Sequence, residues 1–113
     1  MQNQKATDYW HVSDGLFSAN DKVRYVAVVN MFGEVTQCFA RSPHPPQGEI
    51  SRKFQRVAFA INALAFENVR FMLLNEDDLV LLIVNLGEDT LVVGMDKNTP
   101  WPKISAIIGR LSA

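Results

Sequence analysis

The residues able to do chemistry are few and scattered. Two histidines, His11 and His44, and one cysteine, Cys38, are the chain's whole supply of those residue types. They are too few and too far apart to complete a structural zinc set within one chain. His44 stands between prolines, where a solvated loop imidazole is expected in place of a ligand or catalytic base. Cys38 has no Cys-x-x-Cys partner and no nucleophile elbow around it, so it reads as a small buried hydrophobe. The acidic run Glu76-Asp77-Asp78 lacks the alternating oxygen ligands and distal glutamate of a calcium loop, and reads as a solvated hairpin turn. Neither a Walker A sequence nor G-x-G-x-x-G occurs, and no pair of titratable groups has a suggestive spacing. The expectation is a protein with no metal, no cofactor and no catalytic residues. What remains is a small basic spot, Arg52, Lys53 and Arg56, in the first turns of a helix, where positive charge opposes the helix dipole. It suits an acidic partner or a phosphate, or is an ordinary solvated flank.

That spot belongs to the stretch with the clearest pattern, Ser51 to Phe66. At 100° per residue Phe54, Val57, Ala58, Ile61, Leu64 and Ala65 fall on one side, the stripe a helix lays on a core. The opposite side is apolar too: Phe59, Ala63 and Phe66 recur along it, with Arg52, Arg56 and Asn62 at its margins. One face suits the chain's own sheet. The other is expected to meet a second copy across a two-fold axis, or else to lie under the chain's own N-terminal segment.

Composition narrows the class. At 113 residues the chain is one domain, expected over 8–113 behind a frayed polar stretch over 1–7. Eleven Lys and Arg face twelve Asp and Glu, which leaves no long-range field to gather nucleic acid or an anionic membrane. The opening MQNQKATDYW has no secretory pattern, so a cytoplasmic location is expected. The longest apolar run, Leu79 to Val84, is too short to cross a bilayer and suits a buried strand.

In chain order, a short irregular helix is expected between Asp8 and Ala19, with Trp10, Leu16 and Phe17 available for burial. Val23 to Asn30 follows as a central strand, with Val23, Tyr25, Ala27 and Val29 facing one way and Arg24, Val26 and Val28 the other. Gly33 supplies the tight reversal, and Glu34 to Ala40 returns with the mixed polarity of an edge. Three prolines make Arg41 to Gly48 a loop. After the long helix come strands over Val69 to Leu74, Leu79 to Asn85 and Thr90 to Met95. The strand over Leu79 to Asn85 is apolar on both faces and must lie inside the sheet. A last helix begins with Thr99 as N-cap and Pro100 as first residue, and carries Trp101, Ile104, Ile108 and Leu111, supported by Ile107, as its apolar stripe. Trp101 is expected to anchor it. The result is an α+β fold, α-β-β-α-β-β-β-α, with a five-stranded antiparallel sheet in order 2-1-5-4-3 and helices on both faces.

This succession, with VRYVAVVNMFGEV as its first hairpin, resembles the roadblock/LC7 group of the profilin-like and longin-like folds. The likeness is one of element order over about Asp8 to Leu111, together with the apolar strand, polar turn, glycine and apolar residue at Val26 to Val35. A second resemblance is to small archaeal proteins with a similar opening, matched here from Val23-Arg24-Tyr25 to Gly33. The roadblock resemblance implies a dimer in which the long helices lie side by side and the following strands pair across the axis. On this chain Arg56, Phe59, Ala63 and Phe66 would then meet their mates, as would Val69, Arg70, Phe71 and Met72. It also implies a scaffold or regulator of small GTPases, with Arg52, Lys53 and Arg56 as a partner-facing spot. The very short Glu67-Asn68 connection and the proline-rich loop depart from the group's pattern. The alternative reading is a PAS- or GAF-like sensor of a small molecule, since those domains also set a five-stranded antiparallel sheet among helices.

Overall fold

Two strands with apolar residues on both sides cannot face water on either, and the sheet is arranged to hide them. The computed structural model describes residues 9–41, 71–75 and 79–112. They form α1 (Trp10–Ala19), β1 (Val23–Val29), β2 (Val35–Ala40), β3 (Phe71–Asn75), β4 (Leu79–Asn85), β5 (Thr90–Asp96) and α2 (Trp101–Ser112). The strands make one antiparallel sheet in the order β2-β1-β5-β4-β3. The two-faced strands β1 and β4 flank β5, and the mixed-polarity β2 takes an edge, as their patterns require. The helix expected over Ser51 to Phe66 lies outside the described residues, as do the proline-rich loop beyond Arg41 and the Glu76-Asp77-Asp78 turn.

Each face of the sheet carries its own core. On one face Val26, Val28, Leu82, Leu91, Val93 and Met95 are fully buried with Leu16 of α1 and nearly buried Ile104 and Ile107 of α2. Both described helices therefore cover the same face. On the other face Tyr25, Ala27, Val29, Leu81, Ile83 and Val92 are buried, with Cys38, Met72 and Leu74 packed partly against them. At about 25 cal/mol per Å² of apolar surface, this two-sided burial is the main stabilising term of the fold.

Three local expectations are corrected. Val23 does not share a face with Tyr25 and Ala27; it joins Val26 and Val28 against the helices. The cause is a bulge: Val23 pairs with Met95 but Tyr25 pairs with Gly94, so one extra residue of β1 breaks the alternation. The last helix starts at Trp101 instead of Pro100. The Pro100 carbonyl accepts the Lys103 and Ile104 amides, while the Thr99 hydroxyl donates backwards to the Asp96 carbonyl (2.6 Å), so Thr99 closes a turn and is not the cap. Trp101 is not an anchor either, being 57% exposed. At 100° per residue it stands roughly 70° from the centre of the stripe formed by Ile104, Ile107, Ile108 and Leu111, and this flank position looks to solvent.

Candidate interaction surface

The alternation of β3 decides what its edge offers. Met72 and Leu74 turn towards the second core, whereas Phe71 and Leu73 stand opposite Val84 and Leu82 on the helix-bearing face. There Phe71 is 44% and Leu73 38% exposed. The five-residue strand pairs only with β4, leaving the outer row of its backbone groups at the sheet margin among the described residues. An apolar edge without lysine, proline or bulge is a template for another strand. Of the eight residues the resemblance assigned to a two-fold contact, Phe71 and Met72 are described: Phe71 faces out and Met72 packs inward. Arg56, Phe59, Ala63, Phe66, Val69 and Arg70 lie outside the described residues, as do Arg52 and Lys53.

Near the opposite edge, α1 is tied down at both ends. Arg41, just past β2, sends its guanidinium under the end of α1, donating to the carbonyls of Phe17, Asn20 (3.2 Å) and Asp21 (3.3 Å). The same group lies 5.1 Å from the centre of the Phe17 ring. It meets the last carbonyls of a helix, whose dipole favours positive charge there. The start of α1 is tied by Tyr9, whose hydroxyl donates to Asp89 (3.0 Å) and whose amide donates to Gln37 (3.2 Å). Trp10 rests against Phe39, with ring centres 6.0 Å apart.

The ionisable groups are arranged for structure. Arg24 makes a two-pronged contact with Asp96 (2.5 and 2.7 Å), and Lys103 pairs with Asp21 (3.1 Å). Each cation draws its carboxyl below the ordinary value. Burial pushes the Cys38 thiol up, which favours the unreactive protonated form. Among the described residues no group of three or more His, Cys, Asp or Glu is placed to hold a metal, and no helix is long and apolar enough to cross a membrane.

Pattern reading missed one feature. Met31 and Phe32, treated as turn residues, are 56% and 80% exposed. The available signal was two apolar residues inside a turn already specified by Asn30 and Gly33.

No protein-family model matches the sequence, and no curated protein matches it. Solved structures do. The gliding protein MglB from Thermus thermophilus superposes with a TM-score of 0.70 at 18% identity, over 88% of this chain and 79% of that one. An MglB in a tetrameric arrangement gives 0.68 at 20%, over 88% and 79%. A roadblock/LC7 domain from Streptomyces avermitilis gives 0.65 at 11%, over 94% and 96%. The chain thus has the roadblock/LC7-like fold.

Proposed function

We propose that the chain is a non-enzymatic, dimeric interaction module of the roadblock type, whose copies join through β3 and the helix expected over Ser51 to Phe66. The observation that carries this reading is the β3 edge, where Phe71 and Leu73 are 44% and 38% exposed beside a backbone row that no other described strand pairs. Strand addition would complete the hydrogen bonds and cover both side chains at once. The face of Phe59, Ala63 and Phe66 would continue the contact, with Arg56, Val69, Arg70 and Met72 around it. The solved MglB with a tetrameric arrangement supports self-association as a property this fold can carry. The likeness to roadblock and MglB structures favours this reading over the PAS- or GAF-like alternative.

The module acts in the cytoplasm as a scaffold, regulating a small GTPase or serving in a larger complex, with Arg52, Lys53 and Arg56 facing the partner. Light scattering alongside circular dichroism tests the core of the proposal. The expected wild type is a dimer at tens of micromolar. Phe71→Asp and Ala63→Glu each separate it without loss of secondary structure, because like charges meet across the axis in a desolvated seam. A monomeric wild type rejects the dimer. An Ala63→Glu variant that unfolds instead of dissociating shows that this helix face packs within its own chain.

A further inference from the structure

The reversal between β1 and β2 is built more firmly than a connection needs. The Asn30 side chain accepts the amides of Phe32 (2.9 Å) and Glu34 (3.0 Å) and donates to the Glu34 carboxylate (3.1 Å). The Gly33 amide donates to the Asn30 carbonyl (3.0 Å), with Gly33 at φ 82°. These bonds leave the turn few alternative shapes, and they hold Phe32 out into solvent with 80% of its surface uncovered. A large aromatic side chain on a pre-ordered support has already met part of the entropy cost of binding.

The β4–β5 turn opens at the same end of the sheet, since Val29 at the end of β1 stands opposite Thr90 at the start of β5. It too is tied, by the Gly87 amide on Asn85 (2.9 Å) and the Leu86 amide on the Asp89 carbonyl (2.9 Å), and it shows Leu86 at 39% exposure. The formal charge on these two turns is of one sign. The two turns contain Glu34, Glu88 and Asp89 and no lysine or arginine. The opposite strand ends carry both signs, with Arg24 and Lys103 paired to Asp96 and Asp21.

We propose that the two turns form a docking surface for a cationic, apolar-centred segment of a partner protein, with Phe32 and Leu86 taking its apolar residue and Glu34 and Glu88 its lysines or arginines. This surface is separate from the β3 edge and stands whether or not the chain dimerises there. Complementary charge sets the orientation and the approach, and the aromatic anchor carries the affinity.

The test is an amide NMR titration with two synthetic peptides that share a Leu-Phe-Leu centre, one flanked by lysines and the other by glutamates. The expected result is that the lysine peptide shifts the amides of both turns, weakly and with salt sensitivity, while the glutamate peptide does not. Phe32→Ser should weaken the lysine peptide by about tenfold, and Glu88→Lys should reduce the preference between the peptides. Both positions are exposed, and circular dichroism checks that the variants fold. Absence of binding, equal response to both peptides, shifts centred elsewhere or indifference to Phe32→Ser each overturns the proposal. Turn amides that shift with protein concentration alone would assign the surface to a second copy and overturn it as well; light scattering reads the β3 dimer separately.

Discussion

The ring of Tyr25 occupies the space that a side chain on Gly94 would need. A β-carbon at Gly94 would lie 2.5 Å from the Cε2 and Cζ atoms of that ring. The two residues face each other across β1 and β5, and the missing side chain on one strand admits the aromatic ring of the other.

Gly94→Ala is therefore expected to destabilise the fold by about 1–3 kcal/mol, the usual cost of overpacking, despite alanine's lower backbone entropy cost. Urea unfolding reads the change. In a Tyr25→Val background the same substitution should cost markedly less, because the clash is pairwise. Equal losses in both backgrounds would show that the ring is not the obstacle.

Arg41 joins β2 to the end of α1. Replacing it with methionine retains much of the aliphatic stem but removes the donors to Phe17, Asn20 and Asp21, together with the stacking charge on Phe17. A loss of about 1–3 kcal/mol is expected from the charged hydrogen bonds and the helix-end interaction. Hydrogen exchange should locate it, with faster exchange in the last turn of α1 and little change in β4. Uniform acceleration across the sheet would contradict a local role.

Acid sensitivity should follow the Arg24–Asp96 pair. Hydrogen bonding and charge from Arg24 lower the Asp96 carboxyl below its ordinary 3.8. A carboxyl depressed in the folded state stabilises the fold above the unfolded value, and this contribution is lost as pH falls through the folded value. The window accordingly lies below about pH 4. Side-chain NMR titration should find the Asp96 carboxyl low in the wild type and back near its ordinary value in Arg24→Gln. The stability curve of that variant should be flatter on the acid side, and high salt should narrow the difference because the pair is exposed. An unchanged Asp96 titration would remove Arg24 as the cause.

Much of the architecture was legible in local pattern. VRYVAVV and LVLLIV are apolar on both sides, so neither can be an edge, and hairpins on short turns then leave few antiparallel orders to choose from. Gly33, within a polar turn between two strands, marked a reversal that its φ of 82° realises. The β3 edge followed from the same reasoning, because β4 had to be covered on both flanks.

Other features belong to pairing between distant segments, which periodicity does not encode. Val23 changed faces because β1 and β5 meet with an extra residue between Val23 and Tyr25, a property of the pair and of neither strand alone. Trp101 stands at the margin of the apolar stripe by count, and the seating of α2 through Ile104 and Ile107 decided that this margin stays exposed. Arg41 read as the start of a loop, and only the approach of α1 gave its guanidinium the carbonyls it holds. Residue types and spacing determined how much surface must be hidden and which strands could not remain open. The tertiary structure decided which neighbour hides each side chain, because that depends on register and helix placement, set by contacts between residues far apart in the chain.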